Sequence, residues 1–445
     1  MAPRTPPTDP GLSRRDFVLT SAGALAGAAL AGTLARPAYA VGGSDTLRVG
    51  VIGCGGRGGG AVMQALRADK GAVLYAMADV FPERIESQFK SLTRALSSEE
   101  NNTRVTPAQL DVPPDRRFSG FDGYQKVIDL CDVVLLATPP HFRPAPLKAA
   151  VERGRHIFCE KPVAVDAPGV RSVLETVELA RQKKLALVSG HCWRYSARER
   201  ETFGRLCEGG LGDIRATYTT YNADGWVEPK KRKDGWSDME FQLRNWHYFA
   251  WLSGDHIVEQ AVHSIDKNAW AMNGALPTRC TAVGGRQGRP DTPETGHVYD
   301  HFSATWEYAS GARGFHMCRH FPGTPTDNSD YILGSDGICT INGWTKTHEI
   351  TGKNPWKSTH PGNDMYQQEH DDLFAAIRAG KPINDGVWMT HSTLMAIMAR
   401  MAAYTGQAVT WEQALNSKER LGPESYEFGE VPVPPVAIPG KTKFI

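Results

Sequence analysis

Neither sign of charge is in excess in this chain of 445 residues: 50 lysines and arginines stand against 49 aspartates and glutamates, a formal net charge of +1. That balance gives no electrostatic footprint for nucleic acid or an anionic membrane as partner. The one basic run, Lys230 to Lys233, is followed by Asp234 among glycine and tryptophan, the setting of a solvated loop. Paired-cysteine motifs are missing as well. The eight cysteines (Cys54, Cys131, Cys159, Cys192, Cys207, Cys280, Cys318 and Cys339) form no C-x-x-C, which argues against a structural zinc cluster or a redox dithiol. Their even number permits disulfides, but several fall in apolar, strand-like runs where a buried free thiol is the common state. There is no internal repeat, and no apolar run of about 20 residues, the length that spans a bilayer, occurs beyond the first forty positions.

Residues 1–40 read as a targeting segment rather than fold. Arg14 and Arg15, with Phe17 two positions on, precede an Ala/Gly-rich apolar stretch that closes on Ala38-Tyr39-Ala40, an A-x-A cleavage signal. The pattern resembles a twin-arginine export signal and predicts a periplasmic or secreted protein that begins near Val41. No cysteine follows the run to take a lipid.

From Leu47 to about Val163, short β-rich runs ("LRVGVIG", "AVLYAMAD", "DVVLLAT", "HIFCEKP") alternate with helical segments, the texture of a parallel sheet with helices on both faces. After a helix near residues 169–184 and the strand "LALVSGH", the strands lengthen and alternate, as in "IRATYTTYN" and "HVYDHFSATWEY". Such strands predict an antiparallel sheet with helices on one face. The expected fold is therefore α/β. A Rossmann dinucleotide-binding domain occupies residues 41–165, and an α+β domain with a large, mostly antiparallel sheet occupies residues 166–422. A proline-rich, extended tail follows over residues 423–445. The polar stretch Ser98 to Phe118, with three prolines, reads as a long loop.

The chemistry starts at "RVGVIGCGGRGGG". An apolar strand runs straight into Gly53-x-Gly55-x-x-Gly58, with Gly56 and Arg57 inside the turn, and a helix opens behind it. The first glycine permits the tight turn, the second lets the backbone approach a pyrophosphate, and the third lets helix pack on strand. The helix N-terminus then faces the phosphate charge. Asp79 closes the next strand, where an acid hydrogen-bonds the ribose hydroxyls and repels a 2′-phosphate, so NAD is expected rather than NADP. Further on, Glu160-Lys161-Pro162 ends another apolar strand, which points Lys161 at the crevice off the carboxyl ends of the sheet. An ammonium there can hydrogen-bond a reacting hydroxyl and stabilise its alkoxide.

Together with "LLATPPHFRPAPLKAAVERGRHIFCEKP", these motifs resemble the Gfo/Idh/MocA oxidoreductase family over essentially the whole chain after the signal. The resemblance implies that Lys161 is catalytic beside Glu160, and that Thr138, Pro139 and His141 belong to the turn passing near the nicotinamide. It also implies a second motif, Asp-x-x-x-His, matched here by Glu259-x-x-x-His263 with a longer acid, four apart and so on one helical face. His263 suits the removal of a carbinol proton, with Glu259 to orient it; Asp266 and Lys267 lie one turn on. Aromatics are dense from His191 to Trp251, and flat rings with polar edges suit carbohydrate, so Arg194, Tyr195, Trp246 and Asp266 are expected at the substrate. His316, Cys318 and His320 share one face of a strand, but a further ligand at suitable spacing is not apparent, and no metal is expected.

The function so implied is oxidation of a secondary hydroxyl of a sugar, cyclitol or glycoside by an enzyme in which NAD, loaded before export, stays bound and is recycled in place. A glycoside hydrolase or lyase working by transient oxidation and elimination is the alternative, and a non-catalytic NAD-binding module a third. The family's habit implies a homo-oligomer, dimer or tetramer, formed through the C-terminal sheet.

Overall fold

The computed structural model describes residues 45–97 and 104–445; the segment expected to be an export signal lies outside them, as does the start of the loop expected at Ser98. The first part of the chain runs β1 (Leu47–Ile52), α1 (Gly56–Ala68), β2 (Ala72–Asp79), α2 (Pro82–Ser97), β3 (Arg117–Ser119), α3 (Gly123–Leu130), β4 (Val133–Leu136), α4 (Pro144–Glu152), β5 (His156–Cys159), α5 (Ala167–Gln182) and β6 (Leu187–Ser189). The six strands pair in parallel in the order β3-β2-β1-β4-β5-β6. Strands such as Val133–Leu136 are buried along their whole length, because helices cover both faces of the sheet. The strand order reverses between β1 and β4, and in such a sheet the ligand crevice opens at that point, off the carboxyl ends of the strands.

This sheet does not stop at residue 165. α5 is the crossover that carries the chain from β5 to its parallel neighbour β6, so the layer closes only at Ser189. The remainder runs α6 (Ala197–Cys207), β7 (Ile214–Ala223), α7 (Asp238–Arg244), α8 (Ala250–Ser253), α9 (His256–Glu259), α10 (Val262–Ala271), β8 (Arg279–Gly285), β9 (His301–Glu307), β10 (Arg313–His320), β11 (Ser329–Gly334), β12 (Gly337–Asn342), β13 (Thr347–Gly352), β14 (Trp356–Lys357), α11 (Met365–Ala379), α12 (Gly386–Thr405), β15 (Val409–Thr410) and α13 (Trp411–Asn416). Nine strands form the second sheet in the order β14-β13-β12-β11-β7-β10-β9-β8-β15, antiparallel except where β7 lies beside β10. One face packs on α10 and α12; α12 is apolar nearly all round and correspondingly buried. The other face alternates outward along β10 and β11, leaving Phe315, Met317, Tyr331 and Leu333 exposed.

Two late segments return to the first sheet. α11 places Leu373, Phe374 and Ile377 in the same core as Val49, Val51 and Leu66. The extended tail sets the Phe428 ring 6.0 Å from Phe81 and 5.5 Å from Phe121, and its Val431 carbonyl accepts from Gln242 Nε2 at 2.6 Å.

Candidate active site

The turn after β1 owes its shape to its glycines. Gly53 sits at φ +100°, and a Cβ there would lie 2.6 Å from the Ala137 carbonyl carbon. At Gly58 a Cβ would lie 1.9 Å from the Gly53 carbonyl oxygen, so only glycine lets α1 pack this closely on the turn. Gly55 and Gly56 differ. A Cβ on Gly56 would meet nothing within 4 Å, and one on Gly55 only the Arg84 guanidinium at 3.6 Å. No side chain caps α1 and no acid stands in its first turn, so its leading N–H groups face open space.

That space belongs to a cavity of about 770 Å³ along the carboxyl ends of β1, β2, β4 and β5. Asp79 stands in its wall at the end of β2, accepting the Cys54 N–H at 2.8 Å and the Phe81 N–H at 3.0 Å. Burial raises its pKa against the pull of those two donors. Thr138 lines the same wall with Oγ1 buried and without a hydrogen-bond partner among the described residues. An open glycine cradle over a helix N-terminus, an orphaned hydroxyl and a strand-end carboxylate are what a dinucleotide uses, and these residues fit NAD. Pro139 and His141 continue the wall. His141 Nε2 is 2.7 Å from the Tyr426 hydroxyl, its ring is edge-on to Trp251 at 5.1 Å, and burial pushes its pKa down to about 4, with Asp166 opposing and Arg420 adding to the fall.

Arg57 lines the cavity too, but its guanidinium is engaged by the protein. It donates to Glu160, to Gln64 Oε1 at 2.7 Å and to Glu369 Oε2 at 3.1 Å, between the rings of Phe158 and Tyr366. Glu160 in turn accepts the Lys161 backbone N–H at 3.1 Å. The Arg57–Glu160 pair thus fixes the backbone from which the Lys161 side chain springs.

Lys161 Nζ donates to the Glu259 carbonyl oxygen and lies 3.5 Å from the Glu259 carboxylate. Burial would raise the pKa of Glu259, but Lys161, with His247, His320 and Arg143 behind it, outweighs burial and holds the group below the usual carboxylate range. His263 stands in the same cavity wall. Its pKa lies well below the ordinary histidine value, first through burial and then through Lys161, His191 and Lys267, which leaves it neutral near pH 7. Its Nδ1 is shut in and has no partner among the described residues.

The spacing of Glu259 and His263 does not place them on one helix. α9 ends at Glu259, and the Ala261 N–H bonds back to the His256 carbonyl at 3.0 Å, five residues earlier, before α10 begins. This widened turn breaks the helical register, a local unwinding frequent at functional sites. Glu259 therefore meets Lys161, and no Glu259–His263 hydrogen bond forms.

Of the four residues expected at the substrate, only Trp246 lines the cavity, its ring stacked on His247 at 3.7 Å. Arg194 makes a bidentate pair with Asp266 (2.8 and 3.0 Å) and lies between the rings of Trp270 and Trp388. Asp266 also accepts from Ser392 Oγ at 2.6 Å, and the Tyr195 hydroxyl donates to Asp385. These groups are satisfied within the protein: Asp266 ties α10, which carries His263, to α12. Lys267 is likewise committed, in a fully buried pair with Asp330 at 2.7 Å. His316, Cys318 and His320 do share the inward face of β10, but each meets a different partner: Thr219, His256 and Gln260. The eight cysteines are free, seven of them buried.

Sequence reasoning missed Arg84, Phe121 and Tyr426, all in the cavity wall. The only signal for Tyr426 was an aromatic residue within the proline-rich tail.

Residues 47–191 match a model of the Gfo/Idh/MocA family, described as an oxidoreductase family with an NAD-binding Rossmann fold. The 2,7-anhydro-N-acetylneuraminate hydratase of Escherichia coli is 26% identical over 182 residues, 41% of this chain and 44% of the relative. A glycosyl hydrolase family 109 protein of Streptomyces coelicolor is 29% identical over 181 residues, 40% of this chain and 34% of that one. The matched stretch thus spans less than half the length of these relatives. Among solved structures, levoglucosan dehydrogenase in complex with NADH and levoglucosan superposes with a TM-score of 0.64 at 19% identity, covering 82% of this chain and 99% of that one, so the fold is shared across both sheets. Over residues 47–191 the chain is thus similar to the NAD-binding Rossmann domain of the Gfo/Idh/MocA oxidoreductase family.

Proposed function

We propose that the protein is an NAD-dependent oxidoreductase acting on a secondary hydroxyl of a sugar, cyclitol or glycoside, with the cofactor retained and recycled in place. The observation that carries this reading is the presence of Lys161 and a neutral His263 in the wall of the same cavity as the glycine cradle. Bound NAD would supply the acceptor for the two electrons and the hydrogen that leave the carbinol carbon. His263 takes the hydroxyl proton at Nε2, the ring nitrogen not shut in by protein. Lys161 Nζ hydrogen-bonds the same oxygen as charge develops on it, and Glu259 keeps that ammonium in place. Arg57 and Glu160 set the lysine's origin; Asp266 and Ser392 set the helix that carries the base.

Two of the relatives, named a hydratase and a glycosyl hydrolase, favour a second reading. A transient ketone would acidify the neighbouring C–H and let an ether or glycosidic bond eliminate, with no net redox change. One experiment separates the two. The protein is purified without added cofactor, mixed with free sugars, cyclitols and glycosides, and followed by nicotinamide absorbance and product mass. Lasting reduction that a second carbonyl compound reverses is the expected result. Cleaved glycoside without net reduction transfers the assignment to the second reading, and no reaction with NAD bound leaves a non-catalytic module.

We also propose that the chain leaves the cytoplasm folded, with NAD seated, and works as a homo-oligomer through the outer face of the nine-stranded sheet. The Arg14-Arg15 pair and Ala38-Tyr39-Ala40 support the first point, and the exposed Phe315, Met317, Tyr331 and Leu333 the second. Cell fractionation followed by light scattering tests both. The wild type is expected in the periplasm at a multiple of its mature mass, an Arg14→Lys/Arg15→Lys variant in the cytoplasm, and a Phe315→Glu/Tyr331→Glu variant as a monomer. A cytoplasmic or monomeric wild type sinks the corresponding half.

A further inference from the structure

Beside the main cavity lies a second one of about 430 Å³, and the two share His247 and Glu259 in their walls. The two cavities are therefore neighbours, and Glu259, which holds Lys161, stands in the wall of both. At the wall of the second stands Arg289, 6% exposed, with Nε and Nη2 buried and without a hydrogen-bond partner among the described residues. A buried guanidinium with unmade hydrogen bonds is costly unless something supplies the acceptors.

The protein does not supply them. The two carboxylates that act on Arg289 by charge are Asp255 and Asp300, and both are taken. Asp255 accepts the N–H groups of His256 and Tyr299 and the Tyr404 hydroxyl. Asp300 accepts three consecutive N–H groups, those of Gln287, Gly288 and Arg289, at 2.7–2.8 Å, and pairs with His301 through its other oxygen. This second set pins the loop after β8, so the arginine is held in place before any ligand arrives. The rings of Trp226 and Tyr248 flank the guanidinium at 4.8 and 5.0 Å and fix its plane.

We propose that Arg289 receives the carboxylate of an acidic sugar, so that the substrate is a sugar acid whose reacting hydroxyl lies at Lys161 and His263. The inference rests on the oxidoreductase reading and narrows its substrate class. A planar fork pairs bidentately with a carboxylate or a phosphate; the lining decides between them. Arg289 is the only arginine or lysine in the wall of this side cavity, whereas Asp224 and Glu259 both line it. His320 is neutral, pushed to about 4 by burial. A single cation facing two carboxylates suits a monoanion, not a phosphate dianion.

The test compares matched pairs on the purified holoenzyme, glucuronate with glucose and galacturonate with galactose, with glucose 6-phosphate as the phosphate arm. With a second carbonyl compound present to reoxidise the retained cofactor, at least one acid is expected to turn over with a kcat/KM about ten-fold or more above its neutral partner. Arg289→Met is expected to lower that acid's kcat/KM roughly 30-fold or more, the cost of stripping one partner from a buried charge pair, and the neutral partner's far less. Arg289→Lys, which keeps the charge and loses the fork, should fall between; NAD content after purification certifies that each variant is folded. Equal losses for acid and neutral sugar, a preference for neutral sugars, or a preference for glucose 6-phosphate overturns the assignment. If no compound reduces NAD, the oxidoreductase reading fails separately, and calorimetric titration decides the subsite: acids that bind wild type and not Arg289→Met sustain it, and acids that bind neither overturn it.

Discussion

Lys161→Met is expected to lower turnover by about 10³-fold, the scale on which one preorganised donor to a developing oxyanion acts, while the purified protein keeps its NAD. The two halves of the result have different origins. The cofactor cradle is built by Gly53, Gly55, Gly56 and Gly58 with Asp79 and Thr138, and the lysine side chain supports none of these. Its ammonium is instead bound to Glu259 in the cavity wall. The loss should fall on kcat far more than on KM, since the hydrogen bond strengthens only as the alkoxide forms. Removing the cation also frees Glu259 from the main influence that holds its pKa down, so the Glu259 pKa should rise in the variant. A variant that keeps turnover within ten-fold of wild type removes Lys161 from the chemistry.

His263→Asn is expected to lower kcat/KM by about 10²- to 10⁴-fold, the usual weight of a positioned general base, and to change the shape of the pH profile. The sign follows from the depressed pKa. Only the neutral ring accepts a proton, and burial together with Lys161, His191 and Lys267 keeps it neutral to lower pH than a free histidine. The wild-type rate should therefore hold from neutrality downward and fall only below about 6.5, the ordinary histidine value. The unfolded chain takes up its proton at that ordinary value, so the same group makes the folded state lose stability as pH falls below it. Circular dichroism at each pH separates unfolding from loss of the base. The asparagine variant should lack the acid limb. A wild-type limb lying above the ordinary histidine value, or a limb that survives in the variant, assigns the base to another residue.

How legible this molecule was depended on whether local pattern and tertiary need agreed. β1, the glycine turn and Asp79 could be read directly, because the apolar strand, the positive φ at Gly53 and the missing Cβ at Gly58 are demands on single positions. Lys161 was legible from its triplet at a strand end. Arg194 was misjudged for a physical reason: its carboxylate partner, Asp266, lies 72 positions away, and nothing near Arg194 announces that its charge is already matched. The spacing of Glu259 and His263 fits a continuous helix equally well, and only the hydrogen bond from Ala261 to His256 reveals the widened turn that separates them. Arg289 was invisible because its distinction is what it lacks, an acceptor, and that is a property of the folded neighbourhood.

The first sheet draws its finishing pieces from the far end of the chain. Leu373, Phe374 and Ile377 complete its core, and Tyr426 and Phe428 close against Phe121 at the rim of the cofactor cavity. On the ribosome, all six strands of that sheet emerge well before these residues are made. A nascent domain at that stage has the phosphate turn but lacks one side of its core and one wall of its pocket. Cofactor capture is thereby expected to wait until Tyr426 and Phe428 have been made.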